Sequence, residues 1–145
     1  MNNNANRKIP LRIDSILPQI KIDSLADNLF SDIALEVAED ISGNNKKNTS
    51  TQLRRFYDEL VLWHGKIGND PKKYKQSAPF IQMIRAKVAY ARSRDYVDDN
   101  FKAMMDTLIK QIKSPETLEN AKMFFEAMIG FKKAIEQTKG TGKGE

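Results

Sequence analysis

Two cationic side chains interrupt the apolar face of a segment that is expected to be helical. Within residues 79–94, a helical rotation of about 100° per residue places Lys87 and Arg94 on the same side of the helix. On the helical wheel this side lies inside the apolar arc between Tyr90 and Phe80. A helix that only packs against a core carries leucine or alanine there. One explanation is that the aliphatic parts of Lys87 and Arg94 lie across apolar surface while their charged groups reach water. Because two cations lie on the same side of the helix beside an aromatic ring, an anion-binding face is the preferred hypothesis.

Three further basic residues stand out by their position. Lys132 falls inside the apolar arc of the C-terminal helical segment, as Lys87 and Arg94 do in theirs. Arg54 and Arg55 lie off the apolar stripe near the start of an earlier helical segment. Positive charge in the first turns opposes the helix dipole, so helix stability alone does not require these arginines. The positions of these three residues are therefore not explained by core packing or helix stability alone.

The positive charge of the chain is concentrated in its middle third. The net charge is +5 over 145 residues. Residues 51–95 carry 10 basic and 4 acidic side chains, an excess of six, so the flanking segments together have no positive excess. A localised positive region favours a polyanionic partner, such as nucleic acid or an acidic protein or membrane surface. An ordinary solvated basic face is the alternative explanation.

The composition and motifs predict no enzyme, no metal site and no cofactor. Cysteine is absent, which excludes disulfides and thiolate ligands and favours a cytoplasmic location. His64 is the only histidine, which excludes a two-histidine zinc helix and leaves little for nucleophilic catalysis. Asp98 and Asp99 are adjacent, so a helix turns their carboxylates about 100° apart, which fits a first helical turn better than a catalytic pair. The sequence shows no phosphate-cradling glycine loop, signal-peptide pattern or membrane-spanning apolar run.

The elements that must position the basic residues are predicted to be helices, because no window shows the alternation of a β-strand. The predicted fold class is all-α, a compact bundle of about five helices joined by short connections. Residues 69–76 are expected to form a turn-rich connection that carries three lysines. Helix starts are expected at Asp23 or Ser24, at residues 49–51, at Ser77 and at Ser114-Pro115. Near Asp95 the chain is expected either to bend or to continue into a fourth helix.

Periodicity also predicts which faces are buried and how the chain is divided. In the first helix a stripe that recurs every four residues runs from Leu25 to Ile41. In the central helix the expected buried side is formed by Phe80, Ile84, Val88 and Ala91, flanked by Met83 and Tyr90. The predicted division is an irregular N-terminal arm over residues 1–22, one helical-bundle domain over 23–138 and a disordered tail over 139–145. The arm contains apolar residues that are expected to pack on its own domain or on a neighbour.

Three segments together resemble a known family. They are Thr51-Gln52-Leu53-Arg54-Arg55-Phe56-Tyr57, then Pro79-Phe80 through Lys87-Val88-Ala89-Tyr90-Ala91-Arg92-Ser93-Arg94, then Phe125-Glu126-Ala127-Met128-Ile129-Gly130-Phe131-Lys132. In this order and spacing they are similar to the small subunit of the type III-A CRISPR (Csm) effector complex. The resemblance covers roughly residues 49–133, and Lys-x-x-Tyr-Ala-x-x-Arg is its most specific part. Ser93 stands where the family often has glycine, and residues 1–48 carry no motif.

The resemblance implies a non-catalytic, all-helical protein of a cytoplasmic ribonucleoprotein for antiviral defence. Such subunits stack in several copies beside backbone subunits and below a large subunit, and RNA cutting belongs to other subunits. Its implied partners are the CRISPR guide RNA, the target RNA, these other subunits and further copies of itself, with no membrane. The implied RNA-binding residues are Arg54, Arg55, Lys87, Arg92, Arg94 and Lys132.

Two other functions are alternatives to an RNA-binding subunit. The first is a helical protein–protein adaptor whose basic face meets an acidic partner. The second is a binder of double-stranded DNA or a small regulator of the helix-turn-helix kind. Against the second, no two consecutive helices joined by a short glycine turn present a polar recognition helix.

Overall fold

The computed structural model describes residues 13–43 and 46–144, with side chains described as far as Thr138. Across these residues all the regular secondary structure is helical, which confirms the all-α prediction. There are six α-helices among them rather than about five. They are α1 (Ala34–Ile41), α2 (Ser50–Ile67), α3 (Pro71–Gln82), α4 (Ile84–Ser93), α5 (Asp99–Lys110) and α6 (Pro115–Gly144). A 3₁₀ turn at Leu17–Gln19 and a π-helix at Leu29–Ile33 precede α1.

Helix α6 lies at the centre of the bundle, between α1 on one side and α2 on another. Its consecutive residues Phe124 and Phe125 are both fully buried, because the helix is covered on more than one face. The helix begins where the sequence predicted, since the Thr117 backbone N–H donates to the Ser114 hydroxyl at 3.1 Å. The Ser114 backbone N–H in turn donates to the Thr117 hydroxyl at 3.0 Å, so the two residues cap the helix reciprocally.

An aromatic cluster joins α2, α5 and α6. The rings of Phe101 and Phe125 meet edge to face with centroids 6.1 Å apart. Phe56 of α2 lies 5.7 Å from Phe101 in a tilted arrangement. Each buried aromatic side chain removes a large apolar area from water, so this cluster holds α2 firmly in place. The start of α2 carries two of the predicted site residues, and the cluster therefore supports them.

The prediction of a turn-rich connection over residues 69–76 is wrong, because α3 already begins at Pro71. The Asp70 carboxylate accepts a hydrogen bond from the Lys72 backbone N–H at 2.9 Å and caps the helix. Pro71 occupies the first turn, where its missing N–H costs nothing. Tyr74 is buried and its hydroxyl donates to the Ile112 carbonyl at 3.0 Å, which anchors the added turns to the loop after α5.

The first predicted helix also begins later than expected. The chain bends over residues 22–24, and after the 3₁₀ turn regular structure resumes only with the π-helix at Leu29–Ile33. Leu25 was expected in the buried stripe but is 48% exposed. The backbone at Ile22 is bound elsewhere: its N–H donates to the Gln111 side chain, and its carbonyl accepts from the Asn120 side chain. These bonds tie the chain to α5 and α6 at the point where the sequence predicted a helix start.

Only the second half of the predicted arm falls within the described residues, and residues 1–12 lie outside them. Residues 13–16 form a helical turn that leads into the 3₁₀ turn, so this half is more regular than expected. Its four isoleucines, Ile13, Ile16, Ile20 and Ile22, are buried. This part of the arm therefore packs on its own bundle.

At the other end, the backbone of α6 is helical as far as Gly144, across residues where the sequence predicted a disordered tail. The division into arm, bundle and tail stays a prediction. No helix in the described part of the chain combines the length and apolar character needed to cross a membrane.

Candidate nucleic-acid interface

Two of the predicted cations lie on a continuous exposed face formed by α3 and α4. The two helices are separated only by Met83, whose backbone stays in the right-handed helical region. The Lys87 N–H donates to the Met83 carbonyl at 3.2 Å, so the helical path continues across the junction. Residues three or four apart therefore line up on one face. We call this face the exposed strip; it consists of Phe80, Met83, Lys87, Tyr90 and Arg94.

The structure corrects the predicted orientation of this face. Phe80 was expected on the buried side, but it is 51% exposed, and Ile81 is fully buried in its place. Met83 and Tyr90 are likewise exposed, whereas Ile84 and Val88 are buried as predicted. The arc that contains Lys87 and Arg94 thus faces solvent and does not pack against the core. The unusual residues of the strip are consequently its exposed apolar side chains and not its cations.

A groove of about 310 Å³ runs between α2 and α4 beside the exposed strip. Its lining residues are Gln52, Arg55, Phe56, Glu59, Lys87, Tyr90, Ala91 and Tyr96. The Lys87 ammonium lies 2.7 Å from the Glu59 carboxylate across the groove. Arg55 is exposed at the same groove. The structure therefore brings Arg55 and Lys87 together, although they are far apart in the sequence.

Arg94 is held by aromatic rings. Its guanidinium carbon lies 5.8 Å from the centroid of Tyr90 and 5.7 Å from that of Tyr96. Its Nη1 donates to the Tyr90 hydroxyl at 3.3 Å. Interaction with the Tyr96 and Tyr90 hydroxyls raises the pKa of Arg94 above its ordinary value. Within the described residues Arg94 forms no ion pair with a carboxylate, so its charge is available to an anion.

Asn48 fixes the position of Tyr96. The Asn48 backbone N–H donates to the Tyr96 carbonyl at 2.9 Å. Its side chain accepts from the Asp98 backbone N–H at 3.1 Å and donates to the Ile41 carbonyl at 3.2 Å. Asn48 is fully buried with a φ of 57°, a left-handed conformation that asparagine tolerates better than most residues. Asn48 and Glu59 were not predicted from the sequence because only long-range contacts bring them to this site. Tyr96 was not predicted either, although it is only two residues after Arg94.

Arg92 lies on a different side of α4. Its Nε is 2.5 Å from the Asp99 carboxylate, and its Nη1 is 3.8 Å from Asp95. The hydrogen bond from Arg92 lowers the pKa of Asp99 below its ordinary value. Asp98 caps α5 by accepting from the Phe101 N–H, so the two adjacent aspartates have separate structural contacts. Arg92 thus links α4 to the start of α5 and is not brought to the exposed strip.

Arg54 and Lys132 meet at a second depression of about 200 Å³ between α2 and α6. Arg54 is exposed and forms an ion pair with Asp58 at 3.3 Å. Lys132 is only 3% exposed, and its ammonium is paired with the Glu136 carboxylate. Arg54 and Arg55 therefore serve two separate surfaces, because adjacent helical residues point about 100° apart. Within the described part of the chain, no cluster of acidic and histidine side chains is placed to hold a metal ion.

One family of known proteins matches this chain. The model of the family described as Csm2 Type III-A matches residues 25–138, a span that contains the exposed strip and both depressions. No curated protein and no solved structure matches the chain. The family match covers well over half of the sequence and confirms the resemblance seen in the three motifs. The chain therefore belongs to the Csm2 family, the small subunits of the type III-A CRISPR effector complex.

Proposed function

We propose that this subunit binds the duplex of guide RNA and target RNA through backbone phosphates, without sequence preference, and has no catalytic activity of its own. In this proposal it supports assembly of the cytoplasmic complex for antiviral interference. It does so by contacting the backbone and large subunits and further copies of itself. Membership of the family supports the place in the complex. The contacts with RNA and the absence of catalysis are parts of the proposal.

The proposal depends mainly on the environment of the Arg94 guanidinium. A guanidinium held by two tyrosine rings and free of carboxylate partners in the described structure is positioned to meet a phosphate. A-form RNA hides its base edges in a deep and narrow major groove, so a protein contacts its phosphates and 2′-hydroxyls. In RNA-guided effectors base pairing supplies the sequence choice and the protein holds the backbone. Arg94, Lys87 and Arg55 suit that task.

The ion pair of Lys87 competes only weakly with this role. Its side chain is 49% exposed and that of Glu59 is 24% exposed, and ion pairs near the surface contribute only about 0–1 kcal/mol. A phosphate can therefore replace Glu59 at little cost. Arg54, Arg92 and Lys132 stay predicted RNA contacts, but each is already paired with a carboxylate. Lys132 in particular reaches a phosphate only if its buried ion pair opens.

The proposal is tested with the double variant Lys87→Ala/Arg94→Ala. Fluorescence anisotropy on a labelled guide–target RNA duplex gives the affinity at several salt concentrations. Each lost phosphate contact lowers the slope of log affinity against log salt by about one, so the double variant should lose about two. Lys110→Ala/Lys113→Ala removes two exposed lysines at the end of α5 and in the loop after it, which line neither depression, and serves as the charge-matched control. Unchanged affinity and slope in the first variant would contradict RNA binding by this face and favour the protein adaptor.

A further inference from the structure

Binding to a duplex does not account for the exposed aromatic rings of this surface. Phe80 is 51% exposed, Tyr90 is 62% exposed and Tyr96 is 39% exposed. The bases of an A-form duplex are stacked on one another, and its surface offers phosphates and hydroxyls that need no aromatic partner. Exposed rings of this size forgo a large burial energy. A second kind of ligand is therefore needed to explain them.

The arrangement at Phe80 is a stack that ends at the surface. The Trp63 and Phe80 rings are nearly parallel, with an interplanar angle of 13° and centroids 6.0 Å apart. Trp63 is partly buried and supports Phe80 from α2, whereas half of the Phe80 surface stays in solvent. The Lys66 ammonium lies 5.1 Å from the centroid of the Trp63 ring. A flat aromatic ring placed on the open side of Phe80 extends this stack.

Tyr90 offers a second exposed ring on the same strip. Arg94 covers part of it, but most of its surface is open. Lys87 lies between Phe80 and Tyr90 along the strip, and Arg94 follows Tyr90, so rings and cations alternate. Proteins that bind single-stranded RNA or DNA combine a positive surface for the backbone with aromatic side chains on which bases stack. The alternation on the strip has this composition.

We propose that the exposed strip binds unpaired RNA, with bases stacked on Phe80 and Tyr90 and with phosphates at Lys87 and Arg94. This inference rests on the proposed function only in taking RNA as the polyanion. Ten residues separate the two aromatic positions, which corresponds to about 15 Å along a helix. At about 3.4 Å for each stacked nucleotide, four to five nucleotides span that distance. Sequence preference is not expected, because every base has a flat face.

Trp63 provides a direct test because it is the only tryptophan of the chain. Titration of the whole protein with an unlabelled 12-nucleotide oligouridine should change the Trp63 emission, because stacking on Phe80 alters the environment of the ring beneath it. Labelled oligouridine and a labelled 12-base-pair RNA duplex then give both affinities by anisotropy. We expect Phe80→Leu and Tyr90→Leu each to weaken binding of oligouridine about tenfold. Phe80→Tyr, which keeps the ring, should retain the affinity.

The controls separate this inference from the proposed function. Phe80→Leu should leave the duplex affinity within about twofold, and its salt slope for oligouridine should match that of the unchanged protein, because no phosphate contact is lost. Met123→Ala removes an exposed apolar side chain from α6 and should change neither affinity. The inference is overturned if oligouridine binds the parent protein, Phe80→Leu and Tyr90→Leu with affinities within twofold of one another. That result would assign the rings to a protein partner. If Lys87→Ala/Arg94→Ala weakens duplex binding in the same series, the proposed function stands without it.

Discussion

The backbone N–H of Asn48 donates to the carbonyl of Tyr96 at 2.9 Å, which ties the loop before α2 to the residue that holds Arg94. Asn48 reaches Ile41 and Asp98 with the two ends of its side-chain amide. One buried residue thus connects the end of α1, the loop after α4 and the start of α5. The geometry of the proposed RNA contact at Arg94 depends on this connection.

Replacement of Asn48 should destabilise the protein and weaken RNA binding together. Asn48→Ala removes two buried side-chain hydrogen bonds worth about 1 kcal/mol each and adds strain of about 1 kcal/mol at the left-handed backbone. We expect a loss of about 3 kcal/mol in the free energy of unfolding, measured with urea. Asn48→Gly relieves the strain and should lose less. A loss for Asn48→Gly that exceeds the loss for Asn48→Ala by glycine's own flexibility cost of about 0.4–1 kcal/mol would show that the backbone conformation contributes nothing.

Neutralising Glu59 should strengthen RNA binding. Glu59→Gln removes the one negative charge that borders the groove and releases the Lys87 ammonium from its carboxylate partner. The affinity for an RNA duplex should rise several-fold at low salt, and the gain should shrink at high salt because screening weakens the charge effect. Anisotropy titrations at both salt concentrations measure this. Asp27→Asn changes the net charge equally at an exposed site elsewhere and should have a smaller effect; an equal gain from both variants would mean that net charge alone matters.

The pair of Arg92 and Asp99 should make stability depend on pH in acid. Arg92 lowers the pKa of Asp99 in the folded protein, so the folded state favours the ionised carboxylate. This contribution is fully present above the ordinary aspartate pKa of about 4 and is lost as the pH falls through the lowered pKa. Asp99→Asn should therefore lower the urea midpoint slightly at pH 7, because the pair is exposed, and the difference should vanish in stronger acid. A difference that stays constant across this range would contradict a role for the charge of Asp99.

Local signals in the sequence were sufficient where a few neighbouring residues decide the structure. Thr49 caps α2, as expected for a start at residues 49–51, and Ser114 with Pro115 begins α6. Lys87 and Arg94 also lie on the same exposed face, because helical geometry alone fixes the angle between residues seven apart. By contrast, Asp70-Pro71 is an equally good start signal, but the sequence prediction placed residues 69–76 in a turn-rich connection and the helix start at Ser77.

The sequence by itself determined the helical class, the starts of α2 and α6, the family and the relative angular positions of the cations within their helix, since each depends on short-range spacing or on a motif. Only the tertiary structure decided which arc of α3 and α4 faces the core. Sequence spacing fixes the angles between side chains about the axis of one helix, but it does not fix the rotation of that helix against its neighbours. The burial of Ile81 turned Phe80 outward. The tertiary structure also decided the partners: Glu59 for Lys87, two tyrosine rings for Arg94 and Glu136 for Lys132. Glu136 and Tyr90 are one helical turn from their partners and Tyr96 is two residues after Arg94, whereas Glu59 comes from α2, which packing brings beside α4.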